Sequence, residues 1–419
     1  MKCAKKFFVI LFFLKIGFLS FCQTFDFQGK LITEGVVALP YTENAFDFLL
    51  AQTSLDSQLS FYAGNNNLFV RTSLSYNALE SAQSEIALQR IFGKESYLFR
   101  LKEAYYTYED SWFSVRVGRQ SASWGVADGI TVSDVLCPKD QTNLFASDFS
   151  ESSLAIDAVK VSLFTSILIL DAYWIPFFTP AILPSQSESV TVELPKLTLS
   201  NAEYAIRMSG YFSFADFSLY GFYGWDDIPI LKYTLSAETP TSVTVSGEYK
   251  RVLMFALDSS IPIGQVTARI ETAFFPMRYF SKSVTSQLSQ SDSAFQQNNQ
   301  LISLLGLDWL HGDLTLTAQY YADFVFGELS DLDRDLFTHL VTLQGSYSLL
   351  GGNLSLSLGG IVHLVDFDSA IQTQVDYSLT DNLSLSCAAN FFVPGIDEKG
   401  SFSSYKDLSC IVFKGVLRF

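Results

Sequence analysis

The chain has 419 residues, of which 17% are charged and 15% aromatic, with a formal net charge of −16 and a pI near 4.6. Sparse charge with abundant aromatic and β-branched residues excludes a disordered chain, and the acidic balance argues against nucleic-acid binding. After the first 30 residues no apolar run approaches the roughly 20 residues of a helical membrane span, so what remains is a large all-β chain with its hydrophobicity spread over alternate residues.

The chain opens with a basic segment, Lys2, Lys5 and Lys6, followed by apolar Phe7 to Leu14 and Ile16 to Phe21, interrupted once by Lys15. Ser20 and Cys22 then put small residues at the −3 and −1 positions of a cut before Gln23. This pattern predicts a cleaved secretory signal over residues 1–22 and a mature chain over 23–419. Leu19 to Cys22 half-resembles a lipoprotein box, with bulky Phe21 against it, and Lys15 argues against a retained anchor helix. Removing the leader takes four lysines and no acid, so the mature chain is more acidic still. Cys137, Cys387 and Cys410 remain, an odd count that allows no complete disulfide framework.

From Phe25 onward, alternating segments of about ten residues are punctuated by turns. Tight turns are predicted near Gly64, Glu109-Asp110, Phe164, Ala215-Asp216, Ser259-Ser260, His311-Gly312, Gly351-Gly352 and Thr380-Asp381. Longer loops are predicted at 39–53, 79–96, 121–151, 177–202, 226–242, 276–299, 327–334 and 394–403, with a short one near Asp366 to Asp368. Short and long connections alternate throughout. The pattern is that of an all-β transmembrane antiparallel barrel of about 16–18 strands, with short periplasmic turns and long extracellular loops. Lipid explains the closure, because an open sheet edge in hydrocarbon leaves backbone groups without partners. The lipid face must then be apolar, and the lumen is free to be polar.

Parity assigns Lys30, Arg71, Arg100, Lys102, Arg116, Arg207, Lys250, Arg269, Lys414 and Arg418 to the lumen. The inward acids are Asp26, Asp56, Glu248, Glu271, Asp308, Asp313, Asp323 and Asp376, so most of the excess negative charge falls on loops and turns. Arg71, Arg100, Lys102 and Arg116 come from three consecutive strands and form one basic wall. Glu103 and Asp157 fall on the lipid face by parity, where a β-bulge is one way to reverse them.

A distinctive patch follows. Val117-Gly118-Arg119-Gln120, then Trp124-Gly125, then Asp128-Gly129-Ile130 and the stretch from Asp134 to Asp140, with Cys137 and Pro138 inside it, end a strand and open the longest loop. This patch resembles a family of large outer-membrane porin-like proteins of unassigned function, marked by G-R-Q-x-x-x-W-G and a following acidic, Pro-containing stretch. The similarity covers about 35 residues, with weaker support from Leu101 to Tyr105 on the preceding strand. The resemblance implies a wide barrel whose solute is not known, and it carries over no catalytic residue.

Read on its own chemistry, the patch places Gly118 and Gly125 where backbone passes close or takes positive φ. Arg119 and Gln120 end the strand with donors toward the loop. A connection of about thirty residues without strands is unusual and often functional. Residues 121–151 are therefore expected to fold into or over the lumen; the alternative is an outward loop with Trp124 belting the membrane. Asp128, Asp134, Asp140 and Asp148 in this loop, facing the basic wall, would set a transverse field across a constriction.

Further along, Leu314 to Phe324, Leu354 to Leu358 and Leu383 to Phe391 each put apolar residues on one face and polar ones on the other. His311, His339 and His363 have no ligand spacing, and no nucleophile pattern, zinc spacing or phosphate-cradling loop is present, so no enzyme activity, metal or cofactor is expected. Asp331, Asp333 and Asp335 alternate like calcium ligands, but Leu336 and Thr342 occupy the positions that a calcium loop gives to Gly and Glu. Cys387 falls on the lipid face and Cys410 on the lumen face, so they cannot pair. The last strand presents Ile411, Phe413, Gly415, Leu417 and Phe419 on one face, and its aromatic end resembles the signal read by outer-membrane insertion machinery.

The sequence thus predicts a channel for small hydrophilic solutes in the outer membrane of a diderm bacterium, in contact with lipid. The rivals are a transporter of hydrophobic compounds, drawing on Tyr106, Tyr108, Tyr220, Phe222 and Tyr321, and a structural or adhesive surface barrel.

Overall fold

The computed structural model describes residues 24–43, 45–79, 97–142, 152–183, 190–235, 243–289, 293–332 and 334–419. The expected leader at 1–22 lies outside these residues, as do 143–151 of the long loop, including Asp148.

The strands in chain order begin with β1 (Thr24–Ala38), β2 (Phe48–Ala63), β3 (Asn66–Asn77), β4 (Tyr97–Glu109), β5 (Phe113–Gln120), β6 (Ile156–Phe164) and β7 (Leu168–Ile175). There follow β8 (Val190–Glu193), β9 (Glu203–Tyr211), β10 (Asp216–Trp225), β11 (Ile230–Leu235), β12 (Val243–Glu248), β13 (Arg251–Ile263) and β14 (Val266–Ser281). The last are β15 (Phe295–His311), β16 (Leu314–Phe326), β17 (Phe337–Leu349), β18 (Leu354–His363), β19 (Ser369–Ser378), β20 (Leu383–Val393) and β21 (Cys410–Arg418).

Eighteen of these strands form one antiparallel sheet that closes on itself. Each pairs with the next in the wall, and β21 returns to β1 with Lys30 opposite Arg418 and Ala38 opposite Cys410. The remaining three, β8, β11 and β12, form a small sheet contributed by two of the loops, with β12 and β8 parallel. All short turns lie at one end of the cylinder and all long loops at the other.

The period-two pattern produces two opposite faces. Leu305, Leu343 and Leu358 are 56%, 62% and 60% exposed on the outside. Exposed aromatic residues band the wall at both ends: Phe25, Trp112, Trp309, Tyr347 and Tyr377 near the turns, and Tyr76, Trp174, Tyr204, Tyr223 and Phe326 near the loops. Such girdles are a signature of barrels seated in a bilayer.

Of three register shifts in the wall, one lies at the loop rim between Val36 and Val37, and two re-aim charged side chains. The β3–β4 register slips between Arg71 and Thr72, which face Glu103 and Leu101, leaving Lys102 as the extra residue. One added residue inverts everything beyond it. Glu103 therefore joins Arg71 on the lumen side, and Tyr105 faces inward instead of Tyr106 and Tyr108. A second slip, between Phe275 and Arg278, turns Arg278 inward beside Asn298 and extends β14 well past the expected loop start at 276. Asp157 needs no bulge: it stays outside, opposite Arg119, with Arg119 Nε 3.6 Å from its carboxylate.

Ser259 and Ser260 lie within β13, opposite Ile270 and Arg269, and the turn is Gly264-Gln265. Glu248 ends β12 in the loop sheet, where it pairs with Lys250 at 2.8 Å, so neither belongs to the barrel wall. Asp313 sits in the turn between β15 and β16.

Candidate functional site: a loop across the lumen

β5 ends at Gln120, whose buried side chain donates to the Ala158 carbonyl at 2.9 Å. Gly118, two residues earlier, has φ of +127°, and a Cβ there would collide with the Ala104 carbonyl. Gly118→Ala should therefore destabilise the protein by about 1–3 kcal/mol. The check is the urea midpoint in lipid vesicles, and an unshifted midpoint would refute the strain at this strand end.

Beyond Gln120 the chain turns into the barrel. Ser121 N donates to the Glu103 carboxylate at 3.0 Å, and Trp124 N donates to Asp134 at 3.1 Å. Trp124, 3% exposed, packs its ring 4.9 Å from Tyr220 and 6.1 Å from Tyr173. With Val132, Leu136 and Cys137 it forms an apolar cluster against inward residues of the wall, among them Ile156, Met254, Phe275 and Leu304. Each such buried side chain contributes about 1.5–3 kcal/mol, which fixes the loop to the wall. Burial pushes the Cys137 thiol up to about 12.

The loop also reaches the far wall. Arg269 on β14 donates to the Val126 carbonyl and pairs with Asp128, both at 2.6 Å. Gln319 on β16 accepts from Asp128 N at 3.0 Å and donates to the Asp128 carbonyl at 2.9 Å. Residues 121–142 thus run from β5 across to β14 and β16 and cover the intervening wall. The loop also touches β4, at Glu103 and Arg100, so the arc it leaves free runs from β17 through β21 to β3. Its β17–β20 part presents Gln344, Ser346, Ser357, Gln374 and Ser386 inward.

Asp56, 6% exposed, takes Lys102 at 2.8 Å and Arg71 at 3.6 Å. Arg100 reaches Asp140 of the loop at 2.9 Å, a direct bridge from wall to loop. Arg116 lies 4.4 Å over the Tyr105 ring and donates to Thr107 at 3.2 Å, with no carboxylate in ion-pair range among the described residues. Asp134 is engaged inside the loop by Lys139 at 2.8 Å, and Asp128 faces Arg269 rather than the basic wall. Of the motif residues, Gly118, Gln120, Trp124 and Gly125 build the inward turn, whereas Arg119 points out toward Asp157. A second charged group, Lys160, Asp171 and Arg207, lies further round the wall.

The residues that favoured an apolar path do not line one. Tyr106 and Tyr108 fall in the outward rows, opposite Val117 and Val115, while Tyr220 and Phe222 are buried under the loop and Tyr321 packs beside it. His363 pairs with fully buried Asp368 at 2.7 Å, and Asp331 pairs with Lys282 at 3.0 Å; Asp333 lies outside the described residues. No cluster of metal-ligating side chains occurs among the described residues. All three cysteines described are free, with Cys387 exposed outside and Cys410 buried inside.

No protein-family model matches the sequence, and no curated protein matches it. Solved structures do. OpdK of Pseudomonas aeruginosa, described as an outer membrane protein, is 9% identical with a TM-score of 0.54, covering 95% of this chain and 99% of that one. The same protein with vanillate gives 0.55 at 9% identity and the same coverage. OccK2 (OpdF) of Pseudomonas aeruginosa, in complex with glucuronate, is 10% identical with a TM-score of 0.54, covering 95% and 98%. The shared feature is the fold, a closed eighteen-stranded barrel.

Proposed function

We propose that the protein is an outer-membrane channel passing small hydrophilic solutes through a lumen narrowed by the loop at 121–151. The observation that carries this reading is the course of residues 121–142 from β5 to β14 and β16, which leaves a polar arc beside them. A lumen of this kind selects by width and by the charges on its rim. Arg71, Arg100, Lys102 and Arg116 are the filter on the wall, and Asp128, Asp134 and Asp140 hold or balance the loop that faces it. Solutes of the size of glucuronate and vanillate, bound by two of the structural neighbours, suit such a passage.

In this reading the turn end faces the periplasm and the loop end the exterior of a diderm bacterium. Export proceeds through the 1–22 leader, and insertion machinery reads the strand that ends at Phe419. The G-R-Q-x-x-x-W-G residues mark the point where the loop enters the lumen. The work is passage rather than catalysis.

Changing Arg71, Arg100 and Arg116 together to Ser tests the filter. The variant should conduct steadily in planar bilayers, with its reversal potential displaced toward cation preference. Unchanged ion selectivity would dismiss the electrostatic role, and a silent wild-type protein would dismiss the channel.

A further inference from the structure

Glu271 on β14 is only 1% exposed, yet no cation lies in ion-pair range of it among the described residues. Arg269, on the same face, is engaged by Asp128 and Asp308 instead. Both carboxylate oxygens are nevertheless occupied, and every donor to them comes from the loop. One oxygen accepts Val126 N at 2.7 Å and Ala127 N at 2.9 Å. The other accepts Ser133 N at 2.8 Å and the Ser133 hydroxyl at 2.6 Å.

The loop is shaped around this carboxylate. Gly125 has φ of +87°, and a Cβ there would collide with the Glu271 carboxylate. Its N–H goes to the Tyr220 hydroxyl at 3.2 Å, and that hydroxyl donates to Asp258 on the neighbouring strand. Hydrogen bonds to an ionised acceptor are roughly twice as strong as neutral ones. A buried carboxylate left without them is strongly unfavourable. The wall charge and the inward loop therefore depend on each other.

We propose that Glu271 is the positioning residue of the constriction: its carboxylate latches residues 125–133 across the lumen and so sets the width of the passage. The effect on current rests on the channel reading above; the latch itself does not. Glu271→Gln replaces an acceptor with an N–H₂ group that faces N–H donors, so the loop should open from the wall more often although its apolar cluster remains.

Cys137 reports detachment directly, because its thiol is 1% exposed between loop and wall. The test uses the full-length protein with Cys3→Ser, Cys22→Ser, Cys387→Ser and Cys410→Ser, so that Cys137 is the one thiol, labelled with a maleimide in detergent and recorded in planar bilayers. Folded barrel is verified by its heat-modifiable gel mobility. With Glu271 intact, labelling should be slow and conductance steady. With Glu271→Gln, labelling should accelerate at least tenfold, and conductance should rise and become noisy. Glu271→Asp, which keeps the charge, should label more slowly than Glu271→Gln. Gly125→Ala attacks the same contact from the loop side and should reproduce the faster labelling if Glu271→Gln fails to fold.

A folded Glu271→Gln or Gly125→Ala barrel that labels at the parent rate would overturn the latch. Faster labelling in a protein that never conducts would leave the latch standing and remove the channel.

Discussion

Leu343→Lys is expected to destabilise the barrel by about 2–4 kcal/mol in lipid vesicles, whereas Gln344→Lys, its neighbour on the same strand, should stay within about 0.5 kcal/mol. The two residues stand at the same depth, midway along β17, and differ only in the side they face. Leu343 is 62% exposed and lies opposite Ala318 and Gly360, in the outward rows. Gln344 lies opposite Thr317 and Gly359, in the inward rows. A lysine outside must carry its ammonium through hydrocarbon toward an interface, while a lysine inside meets water. Urea unfolding in vesicles reads both. Equal losses would mean that the wall does not separate lipid from water.

The second large effect is expected at Asp171, where removal of the carboxylate should cost about 3 kcal/mol. Asp171 is 1% exposed and accepts from Ser162 at 2.5 Å, from Arg207 at 2.7 and 3.1 Å, and from Lys160 at 3.2 Å. Asp171→Ala leaves two cations, Lys160 on β6 and Arg207 on β9, facing each other across β7 with no anion between them. The figure is at the low end of the buried-pair range because both cations keep some access to water, with side chains 20% and 24% exposed. Asp171→Ala combined with Arg207→Ala should recover part of the loss, since the interaction is shared. A urea midpoint unmoved by Asp171→Ala would show that lumen water already screens the trio.

Much of this architecture was legible because a strand writes its two faces into alternate residues. Leu383 to Phe391 and Leu314 to Phe324 revealed both their strands and their outward sides. Parity failed where one residue was added. Lys102 left no mark in the sequence, yet it moved Glu103 and Tyr105 inward and Tyr106 and Tyr108 outward. The bulge before Arg278 did the same for that residue. Ser259-Ser260 resembled a turn by composition, but Gly264-Gln265 closes the hairpin. Glu271 was legible as an inward acid and no more. Its partners lie at 126, 127 and 133, a contact across the cylinder that no local pattern encodes. The small loop sheet was invisible for the same reason, since β8 and β12 meet only in space.

The seam between β21 and β1 is also a step in assembly. Elsewhere round the wall, neighbouring strands can zip together in chain order as each hairpin or connecting loop closes. At the seam Lys30 must find Arg418, and Gly29 exchanges backbone hydrogen bonds with Phe419 only once the curved sheet has brought its two edges together. The entropic toll of so long a span grows only with the logarithm of its length, so the delay lies in waiting for the edges rather than in joining them. A circular permutant, linked at the turn rim and opened within an outer loop, would turn this last joint into an ordinary hairpin and move the waiting step elsewhere on the cylinder.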